Sequence, residues 1–87
     1  MKELKIIICD ASGSTAADFK VNGRGSCVQK VGKAKIGDIA RVICKHEFDR
    51  TEIGLCKLVA EGPRDKWDLR AGRTRYVWER VEDGGHK

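Results

Sequence analysis

The chain has one proline, two histidines and no segment of restricted composition. With 40% apolar residues and a single Pro, it is not a disordered or Pro-rich tether. Two histidines, one of them in the terminal DGGHK, offer little acid–base machinery, so the expectation is a protein that is not an enzyme. Long apolar runs are also missing. The only one near the start, IIIC at 6–9, stops at Asp10, too short for a secretory core or a membrane span. The four cysteines, Cys9, Cys27, Cys44 and Cys56, contain no CxxC pair. They read as buried, reduced thiols of a cytoplasmic or organellar interior, with no disulfide, metal or cofactor expected.

What is present is a short, basic, charge-rich chain. Its 87 residues allow one domain, over 1–82, with 83–87 as a flexible tail. Lys and Arg number 18 against 13 acids, a net charge of +5. That balance favours a polyanionic partner, and the lack of a spanning apolar run leads to the expectation of no membrane.

Residues 4–9 (LKIIIC) read as a buried strand and DASGST as the turn leaving it. TAADFKV at 15–21 suits either one helical turn or the opening of a strand. NGRGS at 22–26 predicts a tight hairpin turn, CVQKV at 27–31 a strand, and GKAKIGD at 32–38 a basic loop. The segment 39–48 (IARVICKHEF) alternates, with Ala40, Val42, Cys44 and Phe48 on one face. DRTE at 49–52 reads as a turn, and IGLCKLVA at 53–60 as a strand buried on both sides. A short helix over 62–72 follows, with Pro63 in its first turn and Gly72 past its end, and TRYVWERV at 74–81 is a last strand. The fold expected is mainly β: a small five-stranded barrel, of OB or SH3-like type among others, with one short helix before the last strand. Its core should include Ile7, Val42, Cys44, Leu55, Leu58 and Val77.

Two clusters resemble metal sites. Asp10, Ser12 and Ser14 offer a carboxylate and two hydroxyls, but a loop of this kind needs further ligands from long helices that the chain lacks. Cys44, His46 and Cys56 fall on two apolar strands, where small thiols serve as core. The charge pattern is more informative. From Phe19 to Gly37 there is no acid, while Lys20, Arg24, Lys30, Lys33 and Lys35 all lie there. A second basic cluster holds Arg64, Lys66, Arg70, Arg73 and Arg75, with Trp67 among them and Tyr76 and Trp78 after them. Cations interleaved with rings suit nucleic acid, RNA or single strands above all, with phosphates on Lys and Arg and bases on rings. Lys30, Lys33 and Lys35 are expected to meet phosphate.

The order of motifs resembles the large-subunit ribosomal protein L-fourteen family. The pieces that carry it are DASG at 10–13, KVNG at 20–23, KIGD at 35–38, CK at 44–45, IGLCKLV at 53–59 and GRTRYVWE at 72–79. They span most of residues 4–82. Ala11 stands where the family has Asn, RAGR replaces its Arg-Arg-x-Asp-Gly, and its C-terminal segment is lacking. The resemblance implies a five-stranded barrel that binds ribosomal RNA, with Lys20, Lys35, Lys45 and Lys57 at matching positions. The function expected is therefore a non-enzymatic nucleic-acid-binding barrel, ribosome-associated if the resemblance extends to role. The alternative is a small protein-binding module, such as a phage-type or accessory inhibitor, using a barrel edge or the aromatic last strand.

Overall fold

The computed structural model describes residues 4–10, 13–46, 49–63 and 65–81, the side chains of 13 and 14 excepted. Five strands and two helices follow in the order β1 (Lys5–Asp10), α1 (Gly13–Asn22), β2 (Arg24–Val31), β3 (Ile39–His46), β4 (Asp49–Gly62), α2 (Lys66–Ala71) and β5 (Arg75–Arg80). The sheet closes on itself as a barrel in the order β1-β2-β5-β4-β3. Neighbours are antiparallel except β1 and β3, which run parallel with Ile7 beside Val42 and Cys9 beside Cys44. Register shifts at Ile8/Cys9, Val42/Ile43 and Leu58/Ala60 bend three strands. Such local irregularities supply the curvature that a barrel of so few strands needs.

The core follows from the period-2 pattern. Ile7, Cys9, Cys27, Ala40, Val42, Cys44, Cys56, Leu58 and Trp78 point inward and are fully buried. Each large side chain among them contributes roughly 1.5–3 kcal/mol of transfer free energy. Leu55 and Val77, expected in this core, are only half-buried. They face outward, Leu55 beside Arg41 and Val77 between Ser26 and Ala60. For the same reason 53–60 is buried on one face, not two: Lys57 and Ala60 are exposed.

Three local expectations change. Residues 15–21 belong to a helix of ten residues, so the fold has a second helix besides the one before the last strand. Among the described side chains of α1, Ala16 and Phe19 are the buried ones, and the Phe19 ring lies where a Cβ on Gly25 would meet it at 2.7 Å. Packed on β2 and β4, α1 closes the barrel end where β1 finishes and β2 begins. NGRGS is accordingly a helix stop rather than a hairpin: Gly23 takes φ 73 and its N–H donates to the Phe19 carbonyl at 2.9 Å. DRTE is strand, paired from Asp49 opposite His46. Phe48 and the tail 83–87 lie outside the described residues, and no helix among the described residues is long and apolar enough to cross a membrane.

Candidate nucleic-acid interface

The barrel end opposite α1 is where β2 finishes and β3 begins, and the basic loop 32–38 joins them past the start of β1. Gly32 makes the first turn with φ 97, and a Cβ there would stand 2.7 Å from Ile7 Cδ1 and 3.0 Å from the Ile6 carbonyl oxygen. Only glycine lets the loop hug β1 so closely. Its far side is pinned to β4: Gly37 N–H donates to the Leu58 carbonyl at 2.8 Å, and Leu58 N–H to the Asp38 carbonyl at 3.0 Å. The Asp38 carboxylate accepts from Lys5 Nζ at 2.8 Å and from the Lys35 N–H at 3.0 Å. Lys5, and then the Lys35 amide, hold its carboxyl below the usual carboxylate range.

Those bonds occupy the loop's one carboxylate. Lys33 and Lys35 are exposed, and their ammonium groups form no ion pair among the described residues. Together with Lys5 they stand around a mouth of about 390 Å³, with Gln29, Ala34 and Tyr76 inside it. Tyr76 is half-buried and packs against the core. Gln29 donates through Nε2 to the Gly32 carbonyl at 3.0 Å, while its Oε1 is buried with no hydrogen-bond partner.

The second basic cluster is built differently. Asp65 caps α2 by accepting from the Asp68 N–H at 3.0 Å. Asp68 is 1% exposed, and both its oxygens accept from Arg75 Nε at 3.1 and 3.0 Å, with Arg73 Nε at 3.2 Å. Arg73 and Arg75 therefore fasten α2 to the start of β5, and one buried carboxylate offsets much of their charge. Lys66, Trp67 and Arg70 remain exposed, the Arg70 guanidinium 5.5 Å from the Trp67 ring centre. α2 connects the end of β4 to the start of β5, and Gly62 and Arg75 at those two ends line a hollow with Thr15 and Asp18 of α1. Arg64 lies outside the described residues.

The remaining predicted cations point elsewhere. Lys20 sits in the last turn of α1, at the closed end. Arg24 pairs with Glu79 at 3.0 Å and Lys30 with Asp10 at 3.6 Å, all four exposed. Lys45 and Lys57 are exposed on β3 and β4. Sequence reasoning missed Lys5 and Gln29 and left Tyr76 between core and surface. Their alternation with Ile6 and Val28 was visible, but not that the three meet at one mouth. A second hollow, of about 420 Å³, lies among α1, β2, β4 and β5 and mixes Arg24 and Arg75 with Asp18 and Glu61. Its charges balance.

The two metal readings separate on geometry. Cys44 stands opposite Thr51 and Cys56 opposite Ala40, four residues apart along the β3–β4 ladder, and His46 Nε2 lies 3.4 Å from Thr51 Oγ1. No group of His, Cys, Asp or Glu among the described residues is arranged to hold a metal. Asp10 is exposed beside Lys30, and Ser12 and the Ser14 side chain lie outside the described residues. All four cysteines are free and buried. Burial raises Cys44 to about 11 and Cys56 to about 12, and Cys27, hydrogen-bonded to Cys9, is pushed up further. β5 is paired on both sides, so it presents no free edge to a partner strand, and Trp78 is fully buried. Compared with family models, curated proteins and solved structures, the chain gives no match.

Proposed function

We propose that this protein binds nucleic acid, RNA in preference to DNA, and catalyses no reaction. The observation that carries the reading is the barrel mouth, where Lys33 and Lys35, free of ion pairs among the described residues, stand around the ring of Tyr76. Ammonium groups on a loop neutralise phosphates, and a ring between them offers a base a surface. Lys66, Arg70 and Trp67 repeat the combination on α2. The motif order resembling the L-fourteen family supports RNA and a ribosome-associated setting. Four free thiols suit a cytoplasmic one.

The test is fluorescence polarisation with a short labelled single-stranded RNA of mixed sequence at low salt. Wild type should bind, and Lys33→Ala with Lys35→Ala should weaken binding roughly tenfold or more. Each change should cost no more than about 0.5 kcal/mol of stability, because both side chains are exposed. A wild type that binds no RNA at low salt overturns the reading.

One observation favours a protein-binding module instead. Leu4, Ile6, Val31 and Ile39, between 43% and 53% exposed, gather where β1, β2 and β3 meet. An apolar patch of this kind marks contact surfaces. This reading takes over if RNA binding fails.

A further inference from the structure

The rim of the mouth and its floor differ in what they can reach. Lys33 and Lys35 stand out in solvent, whereas Tyr76 is set back: β5 is paired on both sides, and the residue packs against the core. A duplex can lay phosphates across such a rim, but its bases stay stacked and paired and never reach the ring. A base that has left its stack can. The volume of about 390 Å³ lies near the lower end of the range for small-ligand sites, enough for one nucleotide and too little for a stack.

Gln29 adds a polar requirement. Its Oε1 is buried without a donor among the described residues, an unfavourable state that a base N–H brought into the mouth would relieve. Cation and ring therefore line one opening, with an unsatisfied acceptor buried in its wall, in the combination that a nucleotide's phosphate, base face and base edge require.

We infer that the mouth takes one unpaired nucleotide, its base against Tyr76 with an N–H toward Gln29 and its phosphate at Lys33 and Lys35. The protein thereby selects single strands over duplex. This rests on the nucleic-acid reading and adds to it the form of the ligand. The same chemistry is presented by a nucleotide within a strand and by a free nucleotide, and the experiment separates them.

A labelled single-stranded RNA bound to wild type is displaced with the unlabelled strand, with the same sequence as a blunt duplex, or with uridine 5′-monophosphate. In parallel, a strand carrying 2-aminopurine is titrated and its fluorescence followed. The single strand should compete about tenfold better than the duplex, and 2-aminopurine should be quenched on stacking. Tyr76→Leu should remove most of that preference while leaving the salt response of binding in place. Arg50→Ala, on β4 near its pairing with Lys45 at the other end of the β3–β4 ladder, should change neither. Should Tyr76→Leu not fold, the quench and the duplex competition in wild type decide alone. Equal competition by duplex, with no quench, overturns the single-nucleotide mouth and leaves phosphate binding standing. No binding of either form overturns both readings. Uridine monophosphate competing as well as the strand keeps the nucleotide in the mouth and overturns the strand as its source.

Discussion

Replacing Gly25 by Ala tests the seating of α1, and the sign of the effect carries the answer. Gly25 lies in β2 opposite Trp78, and no positive φ requires a glycine there. In a strand interior an alanine is ordinarily favoured over glycine by roughly 0.5–1 kcal/mol, because glycine loses more freedom on folding. Here a Cβ would stand 2.7 Å from Phe19 Cε2, 2.8 Å from Cδ2 and 3.1 Å from Cζ. Carbon atoms in contact prefer about 3.5–4.0 Å. Phe19 is fully buried, so its ring cannot swing into solvent. Overpacking of this kind costs about 1–3 kcal/mol, which exceeds the alanine gain. Gly25→Ala should therefore lower stability by about 1–2 kcal/mol, read as a fall in denaturant midpoint at constant slope. Phe19→Leu removes the ring atoms that clash. In that background Gly25→Ala should become neutral or stabilising, and the double-mutant cycle should show a coupling of about 1.5–3 kcal/mol. A Gly25→Ala that stabilises wild type, or costs the same in both backgrounds, refutes the packing of α1 over the barrel end.

Asp68→Ala should loosen α2 by removing the acceptor shared by Arg73 and Arg75. The loss should be about 1–3 kcal/mol, the range for charged hydrogen bonds, and trypsin should cut at Lys66 and Arg70 faster than in wild type. The four thiols should be silent to a thiol reagent in the native protein and react together on unfolding. Cysteines in the unfolded chain titrate near 9.0, while Cys44 and Cys56 keep their protons to about 11 and about 12. Above pH 9.0 the unfolded state loses protons first, so stability should fall as pH rises from 9.0 to about 12. Asp38 shifts the other way. Its contribution is present above its ordinary 3.8 and lost as pH falls below it, so Asp38→Asn should flatten the acid limb of a melting-temperature profile.

Strand β3 was legible residue by residue, because Ala40, Val42 and Cys44 alternate with Arg41 and Lys45 and the barrel keeps that alternation. The stop of α2 at Gly72 was legible as well, whereas its start was misjudged: Asp65 caps it, and Pro63 precedes it. Helix α1 was hidden because, of its described side chains, Ala16 and Phe19 alone join the core, and Val21 is 81% exposed, too little for an apolar stripe to appear. In the candidate site, the acid-free run from Phe19 to Gly37 did take in Lys33 and Lys35 of the mouth, although Asp38 just beyond it bonds the Lys35 amide. The neutralisation of Arg24 by Glu79, 55 residues away, could not be seen without the β2–β5 register. Asp68 looked like a charge diluting its neighbours, and burial makes it the anchor of two of them.

The salt dependence of single-stranded RNA binding tests the central claim most directly. Each phosphate neutralised in a single strand contributes about 0.7 to the slope of log affinity against log salt. Wild type should show a steep negative slope, and the Lys33→Ala, Lys35→Ala protein a slope shallower by roughly 1.4, at nearly the same melting temperature. Equal slopes for the two proteins, or no binding by wild type at low salt, would contradict the assignment of the barrel mouth to nucleic acid.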